Sequence, residues 1–547
     1  WPERGLHLHT MHPLELTHVL NGWGPNGPAD AAGWRALIPE WSRFCEWMLA
    51  SRQNTVQWIL LEDPAWGAFA QSPARLERLR ELVEIGQQHG LTVGIDVPIA
   101  LAQQNAFRLI HKPGTPAESI AQMRERMAWL ASAGFDLIST EMGYSEFHHP
   151  DDHQMVAWLD EFTATAARLK MTATTKAHVS VGQFAKNYAD PETGKPINFN
   201  FLSHFCDPRL GVLVHTVQHY ALDDPAPTYD RKDFADLHRF LRRQIGRRPT
   251  IWFPETAYWV SYDVDVPLFL PLYAERRAHD LRLLAREEAG AAMDGQMIFS
   301  SGWEWGYWLN DLVAARAAWD PKSGAASDAE ATVQILKDAL GAGAEPLARA
   351  VTACALTQHR LLTLGQHGAT APEDVERRNG QAYLQGWETW DDVGVLASLI
   401  PGVTAIKTQP DKTGLFDVSG PVQGERYKRE IQPLLRKMEG DFARHADEVA
   451  LTAAAVPQVL APLARDLADA ARITALRARQ VHALYDRASG LGDDGWSAGR
   501  LATARAALDA AAVLARSREA HYRVNADRIA GWAPNPSADV TLGLGVP

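Results

Sequence analysis

Strand-like stretches alternate with helical patterns through the first 310 residues, and that alternation constrains the fold more than any other feature. Eight such stretches fill residues 5–10, 55–63, 91–99, 135–143, 171–180, 210–217, 250–259 and 295–308. Strands separated by helices build βα units and a parallel sheet. Eight units predict an α/β fold of one kind, a closed (β/α)8 barrel, whose site lies at the C-terminal ends of its strands. The linking helices are legible too. Trp34, Leu37, Trp41, Cys45 and Met48 make one apolar stripe, and Gly90 and Gly134 stand where helix stops are expected.

The chain of 547 residues exceeds an average domain. The barrel is expected over 1–320, a polar linker with Pro and Gly follows, and Ala/Leu-rich patterns over 328–547 predict a C-terminal helical bundle. Residues 190–200 read as a long polar excursion, and residues 383–390 and 401–414 fit no element. Net charge is −12 with no basic run, which excludes nucleic acid as an expected partner. Cys45, Cys206 and Cys354 are too few and too far apart for a disulfide framework or a Cys-rich metal site. No apolar run approaches the roughly 20 residues of a membrane helix. The sequence starts at Trp1, so a removed leader and a periplasmic or secreted location are expected, with the cytoplasm left open. Self-association through the helical half is also left open.

The residues at the strand ends point to sugar chemistry. Glycosidic cleavage needs an acid for the leaving oxygen and a second group to stabilise or capture positive charge at the anomeric carbon; two carboxyls serve. Glu141 ends the fourth strand and is the expected general acid/base. Glu255 ends the seventh, across the barrel, and is the expected nucleophile or charge-stabilising group; retention is the first expectation, with inversion left open for a wider carboxyl separation. Of 19 tryptophans, 15 fall at or before Trp319, and several lie beyond strand ends, where flat rings suit the apolar face of a pyranose. Expected substrate contacts are Arg4, His7, Asp63, Asp96, His178, His215, Tyr258, Trp259, Trp303, Glu304 and Trp305. A carbohydrate is the expected partner, with no cofactor and no metal.

The run Arg4-Gly5-Leu6-His7-Leu8, then Asn54-Thr55-Val56-Gln57-Trp58 with Glu62-Asp63 and Trp66, then His89-Gly90-Leu91 leading to Asp96-Val97-Pro98, resembles the barrel start of family 20 glycoside hydrolases, the β-N-acetylhexosaminidases. The resemblance covers residues 4–145. It implies a sugar-gripping role for Arg4 and an acid role for Glu141. That family has an Asp before its acid, steadying the substrate's acetamido group; Thr140 stands there instead. The glutamates on strands four and seven also resemble the large retaining superfamily of barrel glycosidases.

Two other classes compete. His7 and His9 share one strand face, a His-x-His pair similar to that of the amidohydrolase superfamily, and His178 and His215 match its ligand strands. The acidic residue which that superfamily places after strand eight has no counterpart, Asp294 lying before the strand and Asp311 well beyond it. A non-catalytic barrel that only binds a glycan is the other alternative. His148, His149 and His153 read as a solvated loop. Sugar identity, linkage, and exo or endo action are not legible.

Overall fold

The computed structural model describes residues 1–11, 16–62, 64–101, 105–144, 148–229, 231–257, 268–287, 289–300, 304–374, 378, 380–384, 421–489 and 494–521. Eight parallel strands close a barrel: β1 (Glu3–Leu8), β2 (Thr55–Ile59), β3 (Thr92–Asp96), β4 (Leu137–Thr140), β5 (Thr172–Ala177), β8 (Gly211–Thr216), β9 (Thr250–Ala257) and β10 (Gly295–Ser300). They neighbour one another in sequence order, and β1 closes the ring on β10, with Leu6 level with Ile298 and His7 with Phe299. The remaining strands, β6 (Phe184–Ala189) and β7 (Pro196–Asn198), form an antiparallel hairpin. This hairpin occupies part of the stretch that the sequence offers as a polar excursion. Asp190 starts its turn by accepting from the backbone N–H groups of Glu192 and Thr193, and Gly194 supplies a φ of +66°.

The barrel strands are buried on both sides, as a sheet wrapped by helices requires. The outward face meets the helices: Trp58 lies edge-on to Trp41 of helix Ala31–Ala50 at 5.9 Å and to Phe135 at 5.5 Å. The inward face carries alternate residues, so functional side chains occur two apart. Gly94 is needed on that face, because a Cβ there would collide with the Leu137 side chain and crowd Gln57.

Helix starts follow their capping residues. Asp30 accepts from Gly33 N, Ser72 from Arg75 N, and Thr115 forms a reciprocal capping box with Glu118 at helix Pro116–Ala131.

The helical half is built on helices Gln432–Thr452, Ala461–Ala488 and Asp494–His521, packed side by side. The first two are separated at Pro457, and Pro462 sits in the first turn of the second, where its missing N–H removes no helical hydrogen bond. A second apolar core continues from this bundle into the barrel's last helices, Leu272–Arg286 and Tyr307–Trp319. Hydrogen bonds cross the seam: Phe269 N donates to Thr474 Oγ1 at 2.8 Å, and Gln358 Nε2 donates to Phe269 O at 2.9 Å. Among the described residues no helix is long and apolar enough to cross a membrane.

Candidate active site

At the C-terminal end of the barrel, β3, β4 and β5 bring three charged side chains together. Lys176 Nζ lies 3.3 Å from Glu141 Oε1 and 3.4 Å from Oε2, an ion pair across adjacent strands. Asp96 is close enough to Glu141 for the two carboxyls to repel; burial first, and then Glu141, pushes Asp96 up to about 7, with Lys176 opposing. The side chains of Asp96 and Glu141 are 11% and 18% exposed, so this group reaches the open end of the barrel.

Below it lies a neutral aromatic floor. His7 stacks on Phe299 at 5.2 Å and meets Phe253 edge-on at 5.3 Å. Gln57 Nε2 donates to His7 Nδ1 at 2.9 Å, which fixes the ring, and Asp96 Oδ2 stands 3.8 Å from the same nitrogen. Lys176 Nζ hangs 5.7 Å over the Phe299 ring. His178 accepts from Ser180 N at 3.1 Å, and its ring lies 5.8 Å from that of His215. Burial, and after it the Lys176 ammonium, holds His7, His178 and His215 well below their ordinary range, so the rings are neutral at pH 7.

Glu255 closes the far side. His215 donates through Nδ1 to Phe253 O at 3.0 Å and turns Nε2 toward Glu255 Oε1 at 3.5 Å. The backbone N–H of Gln218 donates to Glu255 Oε2 at 2.5 Å. The Glu255 side chain is fully enclosed, whereas Glu141 is part-exposed. Behind β9 and β10, Asp311 accepts from Thr256 Oγ1 at 2.5 Å and from Ser300 Oγ at 3.2 Å, and burial pushes it up to about 7.

Contacts thus run from Glu141 to Lys176, from Asp96 to His7, from His7 and His215 to Phe299, and from His215 to His178 and Glu255. The structure places other expected contacts elsewhere. Arg4 lies near the N-terminal end of β1, opposite the mouth; its guanidinium donates to the carbonyls of Trp1, Pro2 and Arg52 and stacks on Trp319 at 4.7 Å. It therefore grips the chain's own backbone, which removes the sugar-gripping role that the family 20 resemblance implied. Trp305 is 2% exposed and belongs to the seam: its Nε1 donates to Asp466 Oδ1 at 3.0 Å and Arg518 covers its ring at 4.7 Å. It offers no platform to a sugar. Glu304 is buried beside it. Glu62 is taken by Arg126 and His111. His149 is not a solvated ring but stacks on Phe199 at 3.8 Å. Asp63, Tyr258, Trp259 and Trp303 lie outside the described residues.

Among the described residues no three His, Cys, Asp or Glu side chains are grouped as a metal cradle, and the His-x-His rings are committed to Phe299 packing, at 5.2 Å for His7 and 4.6 Å for His9. Sequence reasoning gave Lys176 no part in sugar binding, although its spacing of two from His178 puts both on one face. It gave Gln57 no role and did not single out Gln218; a backbone N–H aimed at a carboxylate leaves no sequence signal.

No protein-family model matches the sequence, and none of the curated proteins is similar to it in sequence. Solved structures are similar in fold. A GH138 enzyme targeting pectin rhamnogalacturonan II superposes with a TM-score of 0.55 at 10% identity, covering 99% of this chain and 66% of that one. A Thermobaculum terrenum O-GlcNAc hydrolase mutant gives 0.44 at 11% identity, over 99% and 93% of the two chains, and CpGH84B gives 0.42 at 10%, over 93% and 73%. The first shows a shared architecture, and this chain spans just under two thirds of that enzyme's length.

Proposed function

We propose that this protein is a glycoside hydrolase acting at the open end of its barrel. One observation carries the proposal: a part-exposed carboxylate just past β4, Glu141, beside a second carboxyl raised by burial, Asp96, on a fold shared with a GH138 enzyme. Cleavage needs a carboxyl that holds a proton near neutral pH, and the raised Asp96 supplies one beside Glu141. Glu141 is assigned as general acid/base. Lys176 holds it in the resting enzyme, and Asp96 is the adjacent proton reservoir. Glu255, held by the Gln218 N–H, stabilises or captures the charge at the anomeric carbon. His7, His178 and His215 serve as neutral polar wall, and an oligo- or polysaccharide is the substrate class. Thr140, fully buried, stands where an acetamido-orienting Asp is required, so the chemistry is assigned to the protein's own carboxylates with retention.

The exposures favour a second assignment within the same reaction: Asp96 as acid and Glu141 as its carboxylate partner, since Glu255 is enclosed. Turnover of a panel of p-nitrophenyl glycosides separates the two. Glu141→Gln loses roughly 10²–10⁴-fold in kcat with its thermal midpoint kept, in either case. The first assignment expects a comparable loss in Glu255→Gln; the second expects it in Asp96→Asn and a mild effect in Glu255→Gln. Full turnover by Glu141→Gln would refute both. The anomer first released, followed by NMR, decides retention.

A further inference from the structure

We propose that Gln381, supplied by the helical half, is a positioning residue for Glu255 and acts on it through Gln218. The proposal rests on the reading of Glu255 as a catalytic carboxylate, and it adds that the barrel's site is completed by an element from the other half of the chain.

The link is short and buried throughout. Gln218 lies two residues beyond β8 with a φ of +58°, a left-handed conformation that is unfavourable for a non-glycine residue. That conformation turns its backbone N–H onto Glu255 Oε2 at 2.5 Å. The Gln218 side chain is held from the other direction: Gln381 Nε2 donates to Gln218 Oε1, and to Tyr220 OH at 3.2 Å. Gln218 is 1% exposed, while Tyr220, Glu255 and Gln381 are fully buried. Gln381 opens a helix of four residues, Gln381–Leu384, that is itself tied down: Arg477 Nε, on helix Ala461–Ala488, donates to Leu384 O at 2.8 Å. A bond between residues 163 apart in sequence thus connects the bundle to the turn that holds the carboxylate. In a buried, low-dielectric setting, hydrogen bonds of this kind fix geometry, because a partner left orphaned there loses both its bond and its water.

The test uses the full-length protein with the variants Gln381→Leu, Gln218→Gly and the pair combined. Gln218→Gly keeps the backbone N–H and suits the positive φ, but removes the side chain that Gln381 holds. On the best p-nitrophenyl glycoside of the panel, Gln381→Leu is expected to lower kcat roughly tenfold or more, with KM little changed and the thermal midpoint near wild type. Gln218→Gly should show a similar loss, and the double variant no more than either alone, since both cut one link. Additive losses, an unchanged kcat, or a kcat that falls only in step with the thermal midpoint overturn the proposal. Crystal structures of wild type and Gln381→Leu provide an arm that needs no turnover. The Gln218 N to Glu255 Oε2 contact should open beyond hydrogen-bond reach, about 3.5 Å, in the variant; an unchanged contact overturns the positioning role. A wild-type protein that cleaves no glycoside would sink the glycosidase reading, while the crystallographic comparison would still decide the role of Gln381.

Discussion

Asp96 shows how one residue couples stability to the site. In the fold its carboxyl is raised from an ordinary 3.8 to about 7, so between those values the folded state keeps a proton that the unfolded chain has released. Its stabilising share is therefore fully present below about pH 4 and is lost as pH rises through about 7. Asp96→Asn removes that dependence: denaturant unfolding followed from pH 4 to pH 7 should show a flatter loss of stability than wild type, and an identical slope would contradict the raised carboxyl. Glu3 and Asp311, also pushed up to about 7, contribute to the same window in both proteins, so only the difference between them reports on Asp96. The residue types at the strand ends were legible as letters, and Glu141, Asp96, His178 and His215 do share one end of the barrel. Their inequality was not. Lys176 pairs with Glu141 and not with Asp96, and Glu255 is enclosed while Glu141 is part-open; both outcomes depend on neighbours from other strands.

At the scale of the element, local rules carried furthest. Apolar spacing and stop glycines located the helices, and caps set their starts. Helix Pro116–Ala131 illustrates the size of such an effect. Thr115 Oγ1 accepts from Glu118 N while Glu118 Oε2 accepts from Thr115 N, on an exposed surface with no other burden. Thr115→Ala should cost about 1 kcal/mol in denaturant unfolding and leave turnover untouched. Where elements are defined by pairing, the letters were weaker. The β6–β7 hairpin sits in polar sequence with an exposed Phe184, and it is made by its turn and by anchors from helix Asp152–Arg168, whose Asp152 accepts from both Asn187 N and Asn187 Nδ2. Period-two alternation has little to report in such a strand.

On the scale of the whole molecule, the barrel and the helical half share a core, and Trp305 is one of the bolts between them. Its indole fills the seam, bonds Asp466 and lies under Arg518. Trp305→Ala should destabilise by about 3–5 kcal/mol, read as a lower unfolding midpoint, with KM for a glycoside little changed in the fraction that remains folded; a raised KM at unchanged stability would return Trp305 to the sugar site. The sequence by itself determined the class of architecture, because the period of apolar residues and the order of strands and helices are local quantities that every chain writes along its length. It also determined which side chains stand at the C-terminal ends of the strands, since strand direction alone sets that. Tertiary structure decided the rest. Arg4 went to the far end because the register of β1 puts its guanidinium among backbone carbonyls, Trp305 went to the seam because a helical bundle covers it, and Gln381 reached Gln218 across 163 residues. Contacts between segments distant along the chain depend on how the folded surfaces meet, and no local pattern encodes that meeting.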